Sequence, residues 1–233
     1  MFFRHSEALW ADYPELVPGV LYAGGITASA DVSRQVARFN TTAQARLATG
    51  PEGEFVEVQA WRRTFSKMGL KPTQYRCASE SLLRRFRKEG SLPQLHPLVD
   101  LCNAISLAFA IPIAVFDVAK VSGQLEVRYA TGTENYRTFG GEVEHPEAGE
   151  VIFADAAEPA ASAHARRWTN RQSGLSAVSA DTRAVLIVAE ALHASAGDDV
   201  ARLVSTLSHE LATLWPAESR TQLLSRSSPR FEF

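Results

Sequence analysis

The sequence predicts an α+β fold: a single domain with a mixed β-sheet packed by helices, plus an amphipathic helix towards the C-terminus. Helical periodicity dominates the chain as far as Phe109. Short apolar runs separated by Gly-bearing turns take over from Ile113 to Glu190. A last stripe of Val200, Leu203, Val204, Leu207, Leu211 and Leu214 then recurs at helical spacing. Helices grouped before strands favour α+β over a doubly wound sheet.

In order, Val20 to Thr27 (VLYAGGIT) reads as a strand entering a Gly-Gly turn. Asp31 to Leu47 and Phe55 to Met68 read as helices, the second closed by Gly69 with Pro72 beyond. Ser79 to Glu89 follows, with Ser79 as N-cap and Gly90 as stop. Its apolar arc is Leu82, Leu83 and Phe86, and Arg84, Arg85, Arg87 and Lys88 fill the rest of the circumference. That charged arc is either a solvated face over a core helix or an RNA-facing patch.

Pro97 suits the first turn of a helix over Leu98 to Phe109, apolar on most sides and so central. Asp100 and Asn103 are its polar exceptions, three residues apart on one face. A buried polar pair must be hydrogen-bonded or line a cavity, since an unpaired group costs about 1–3 kcal/mol. Strands are expected at Ile113–Asp117, Leu125–Tyr129, Val151–Asp155 and Arg183–Glu190. The last is apolar on both faces, as in a strand covered on both sides, and Glu190 stands at its end. Asp198 can cap the final helix. The Ser/Arg-rich stretch from residue 218 to 233 reads as a loose tail.

A length of 233 residues, 45% of them hydrophobic, suits a soluble globular protein burying roughly 70% of its unfolded surface. The net charge of −2 gives no global electrostatic case for nucleic acid, so any RNA contact needs a local patch. Two cysteines make no disulfide framework, and no apolar run has signal-peptide or membrane-span length, so a cytoplasmic protein is expected. No GxxxxGK[ST] or GxGxxG phosphate loop, no GxSxG elbow and no HxxxH or CxxC metal spacing is present. Neither a cofactor nor a metal is therefore expected, and Cys102 reads as a core residue.

One cluster remains: Arg166, Arg167, Trp168, Asn170, Arg171 and Gln172 within RRWTNRQSG. Arginine forks match phosphate, and an aromatic face can stack a base. The plainer alternative is a surface loop anchored by Trp168.

HPLVDLCNAISLAFAIPIAVFD, His96 to Asp117, resembles a signature of the editing and tRNA-binding (B3/B4) domain of the phenylalanyl-tRNA synthetase beta subunit. Val99, Asp100 and Asn103 meet its VD-x-x-N helix, and Pro112, Phe116 and Asp117 its P-x-x-x-FD strand. The likeness continues through an Arg-x-Ala start at Arg128, a Gly-x-Glu ending at Glu134, a GGE turn and a strand closed by Asp155. It covers Arg76 to Glu190, whereas the Arg84 helix and the RRWTNRQSG loop look more like stand-alone relatives.

The resemblance implies an aminoacyl-tRNA ester hydrolase that acts in trans on the tRNA 3′ end, without aminoacylating anything itself. It divides the chain into an N-terminal extension packed on the core (1–55), the editing-like domain (56–217) and the tail (218–233). Catalytic candidates are Asn103, Glu190 and Glu134; the RNA-binding candidates are Arg84, Arg85 and the Arg166–Gln172 cluster. The family's pocket histidine corresponds to Ala114 and its tyrosine-reading glutamate to Val188, so tyrosine specificity is not carried over. A non-catalytic RNA-binding module and a small-molecule (amino-acid-like) binder are the alternatives.

Overall fold

The longest apolar strand organises everything else. The computed structural model describes residues 1–215 and 218–233. Strand β10 (Ala184–Ala191) alternates its side chains between two buried environments. Val185, Ile187 and Ala189 face a core shared with helices, whereas Leu186 and Val188 face a core shared with a second sheet. Both faces are covered, which explains the unbroken apolar run.

β10 pairs antiparallel with β2 (Val17–Gly24) and β3 (Ile113–Asp117), and β2 also pairs with β11 (Ser219–Leu223). The sheet order is β11-β2-β10-β3, so β3 is an edge strand. Against its helical face lie α2 (Ser33–Leu47), α5 (Pro97–Phe109) and α6 (Ala196–Leu214). Helices α3 (Val56–Lys67) and α4 (Ala78–Glu89) extend this layer, with Leu83 and Phe86 of α4 packing beside Val58.

The second sheet has the order β12-β1-β4-β7-β8-β9. Its strands are β1 (Phe2–His5), β4 (Gln124–Tyr129), β7 (Val151–Ala154), β8 (Ala163–Arg166), β9 (Arg171–Gln172) and β12 (Arg230–Glu232). Only β1 and β4 run parallel, which makes the sheet mixed. The short helix α1 (Glu7–Asp12) and a hairpin of β5 (Tyr136–Arg137) and β6 (Val143–Glu144) complete a single α+β domain.

Several boundaries move for local reasons. Helix α4 begins at Ala78 after Cys77, so Ser79 lies inside it; Gly90 does close it, at φ +77°. Helix α6 begins at Ala196, which puts Asp198 in its first turn instead of at the cap, still favourable for the helix dipole. The expected loose tail is corrected: residues 219–223 and 230–232 form β11 and β12, with Leu224 and Phe231 buried beneath them. Within residues 1–55, β2 sits between β10 and β11 in the first sheet. The domain end drawn at residue 217 lies outside the described residues.

Candidate functional site

Two cavities adjoin the edge strand β3, one on each face of its sheet. The first lies between the sheets, has a volume of about 60 Å³, and is lined by Ala114, Phe153, Ala165, Trp168, Val188 and Glu190 among others. Ala114 and Val188 are register partners on β3 and β10, so this is where those two substituted positions meet.

Trp168 closes this cavity. It is fully buried and meets Tyr13 and Trp61 edge-on at 5.0 and 5.2 Å between ring centroids. Its indole Nε1–H donates to both oxygens of Glu190, at 3.0 and 3.1 Å. His5 Nε2 lies 2.6 Å from Glu190 Oε1, and all three side chains are buried. Glu190 thus spends its carboxylate on two internal partners, and Trp61 Nε1–H donates to its carbonyl oxygen. Sequence reading missed His5, which lies far from Glu190 along the chain; only the buried acid in an apolar strand announced that a partner was needed.

Arg167 and Trp168 both adopt left-handed backbone, at φ +46° and +58°. Such conformations cost on the order of 1–3 kcal/mol each in non-glycine residues and persist only where surroundings over-determine them. Here Trp168 N–H donates to Val151 O at 2.7 Å, Arg167 N–H to Glu150 Oε1 at 3.0 Å, and Asn170 Nδ2–H to Arg76 O at 2.7 Å.

This arrangement corrects the expectation of a base-stacking Trp168 in an exposed basic loop. Arg166 is also buried, forked onto Glu150 at 2.9 and 2.8 Å and bonded to Glu144 at 2.7 Å. Arg171 bonds Glu144 as well, at 2.9 and 3.1 Å, and Arg167 lies over the Tyr75 ring at 4.7 Å. The basic arc on α4 is similarly offset: Arg84 and Arg87 pair with Glu52, and Arg85 with Glu89. Glutamates supplied by other segments thus pair with Arg166, Arg171, Arg84 and Arg87, while the Arg167 guanidinium, over Tyr75, has no carboxylate partner among the described residues.

Glu134 lies outside both cavities. It accepts hydrogen bonds from the N–H groups of Thr131 and Gly132 and pairs with Arg128 at 2.6 Å, closing a turn. Burial alone would raise its pKa, but those N–H donors and the Arg128 guanidinium outweigh it and hold the carboxyl down at about 2. It is a permanent anion that shapes the backbone.

The second cavity lies on the helical face and has a volume of about 340 Å³. Val99, Ile113, Val115 and Val178 form its apolar walls, and His96, Asn103 and Gln172 are polar. Asn103 also borders a larger depression on the other side of α5, about 550 Å³, with Asn40, Gln94 and Asp100. Among the described residues its amide has no hydrogen-bond partner. Its neighbour Asp100 is committed, because Oδ1 accepts from Leu95 N–H at 2.9 Å and fixes the entry into α5. His96 caps that helix through Nδ1, which accepts from Leu98 N–H at 3.2 Å, and burial lowers its pKa. Gln172 Nε2–H donates to Val115 O at 2.6 Å, covering the open edge of β3 where the two cavities meet. Asn103 and Glu190 are therefore in adjoining cavities, separated by the β3–β10 pair, and do not share one.

Among the described residues no helix is long and apolar enough to cross a membrane, and no cluster of three or more His, Cys, Asp or Glu is disposed to hold a metal.

The phenylalanine–tRNA ligase beta subunit of Legionella pneumophila (strain Paris) is 32% identical over 82 residues, which is 35% of this chain and 10% of that protein. The Cereibacter sphaeroides beta subunit is 33% identical over 78 residues, 34% of this chain and 10% of that protein. The matched stretch thus spans about a tenth of those relatives. An N-terminal fragment of the phenylalanyl-tRNA synthetase beta subunit from Pyrococcus horikoshii aligns with 94% of this chain and 50% of its own, at a TM-score of 0.45 and 11% identity. The family model described as the B3/4 domain matches residues 60–209, well over half of the sequence. The chain belongs to the B3/4 domain family.

Proposed function

We propose that this protein is a tRNA-binding editing module that acts in trans, hydrolysing the ester of a mischarged aminoacyl-tRNA in the cleft beside Asn103. The observation that carries this reading is the cleft itself. It has an uncommitted amide on an apolar-walled floor, and it lies on the helix and strand that bear the VD-x-x-N and P-x-x-x-FD residues. A cavity of about 340 Å³ falls in the range of small-ligand pockets, and its few polar groups suit orientation of an ester. Asn103 holds the ester carbonyl, and catalysis rests on placing the 3′ end and a water, without a covalent nucleophile.

This reading gives Glu190 and Glu134 structural roles, with Glu190 bonded to His5 and Trp168 and Glu134 to Arg128. A tRNA ligand puts the work in the cytoplasm. Purified protein incubated with a panel of misacylated tRNAs is expected to release amino acid from at least one, and Asn103→Ala to abolish that release. Release no faster than in buffer across the panel sinks the hydrolytic reading.

A second reading, a non-catalytic tRNA-binding module, draws on the commitment of Glu190 and on apolar Ala114 and Val188. It predicts salt-sensitive tRNA binding without ester turnover.

A further inference from the structure

The hairpin of β5 and β6 overhangs the Asn103 cleft and carries an exposed aromatic that nothing in the fold uses. Tyr136 and Thr138 are buried, whereas Arg137 at the end of β5 and Phe139 in the turn after it are exposed. Phe139 is 74% exposed and lines the cleft rim. Val143, across from Arg137, is also exposed.

This aromatic is nevertheless fixed in place. Arg137 O accepts hydrogen bonds from Ser173 Oγ–H at 2.7 Å and from Gly174 N–H at 2.9 Å. Gly174 lies so close beneath that a Cβ there would meet Thr138 O at 2.9 Å and Phe139 Cα at 3.1 Å. Thr138 Oγ1 accepts from Glu142 N–H at 3.1 Å, and the tip turns through Gly141 at φ +91°. A rigid mount holds an apolar ring in water at the mouth of a cleft.

Charge selects the occupant. Arg166 and Arg171 are both paired with acids, but among the described residues Arg137 has no carboxylate within ion-pairing distance. An exposed ring at the cleft mouth, with an unpaired arginine two residues before it on the same hairpin, fits an unpaired nucleotide, its base stacked and its phosphate forked. The exposed apolar groups here, Leu95 and Phe139 on the rim and Val143 on the hairpin, fall short of the roughly 800 Å² per partner of a stable protein interface.

We propose that this hairpin is a base-stacking arm: Phe139 stacks the terminal purine of an RNA 3′ end, and Arg137 takes the phosphate preceding it. The inference rests on the tRNA-binding reading above and names the residues that would seat the 3′ end over Asn103. The probe is a minihelix RNA with a single-stranded CCA end, compared with the same RNA lacking its terminal adenosine, both titrated against the full chain.

Phe139→Ala is expected to bind the CCA minihelix at least about tenfold more weakly, with Phe139→Trp close to wild type. Removing the terminal adenosine is expected to cost wild type as much and Phe139→Ala almost nothing. Arg137→Gln is expected to reduce the slope of log affinity against log salt by roughly one. All four native tryptophans are buried and cannot stack a base, so RNA-induced quenching in Phe139→Trp beyond that of wild type reports stacking on the new ring. Equal affinity of wild type and Phe139→Ala, or of wild type and Phe139→Leu, overturns the stacking arm while leaving tRNA binding intact. Wild type that binds neither RNA overturns both.

Discussion

The two cavities flanking β3 differ in how their polar groups are spent. Between the sheets, the charged group is engaged, the Glu190 carboxylate with Trp168 and His5, and the Trp168 ring packs on Tyr13 and Trp61, although Thr169 Oγ1 and His5 Nδ1 have no hydrogen-bond partner among the described residues. On the helical face the Asn103 amide is left over, and the aromatic at the rim, Phe139, points to water. A buried carboxylate bonded to two internal donors adds rigidity and local stability, whereas the unbonded groups of the cleft add little to stability and are available for binding. The interior cavity therefore reads as a structural lock and the outer cleft as the working surface.

Substitutions can break that contrast, beginning with the largest effect. Trp168→Ala is expected to destabilise by about 3–5 kcal/mol in denaturant unfolding, the usual cost of emptying a buried tryptophan site. At this chain length that corresponds to roughly 10 °C in melting temperature. A loss below about 1 kcal/mol would mean that Trp168 is no lock. Glu190→Ala strands the His5 and Trp168 donors in a dry interior and should cost about 2–4 kcal/mol, with Glu190→Gln milder.

Asn103→Ala inverts the pattern. Its unfolding free energy should stay within about 1 kcal/mol of wild type, while ester turnover falls at least tenfold. Unchanged turnover would move the chemistry elsewhere.

Acid titration gives a smaller, graded effect. The folded Glu134 carboxyl is held below its ordinary value of 4.5, at about 2, so its ionised form stabilises the fold. That contribution is complete above pH 4.5 and is lost as pH falls towards 2. Melting curves should show Glu134→Gln less stable than wild type at neutral pH, with the gap narrowing over that window. Arg85→Gln, which removes an exposed pair with Glu89, should change stability by less than about 0.5 kcal/mol.

Elements whose burial is dictated by their own residues were legible in the sequence. Pro97 and the apolar run behind it specify α5, and the double-faced hydrophobicity of residues 184–191 specifies a central strand. β11 and β12 were not legible, because mostly polar edge strands take their structure from the β2 and β1 backbones they pair with. Trp168 misled for a related reason: the arginines around it look solvent-facing until Glu144 and Glu150, brought in by the hairpin and β7 side, pair with Arg166 and Arg171. Asn103 was identifiable as a polar exception on an apolar helix, but its separation from Glu190 by a sheet depends on which face each strand residue turns to, and spacing along the chain does not encode that.

The placement of β11 and β12 bears on how the protein reaches this state. β1 lies between β4 and β12, and β2 between β10 and β11, so both early strands wait for partners from the far end of the chain. Contacts such as Phe3 with Phe231 require almost the whole polypeptide to close as one loop. Such long-range pairing slows folding and leaves strand edges open during synthesis. Neither sheet can be completed until residues 219–232 have emerged, which makes this polar segment the closing step in assembling the two sheets.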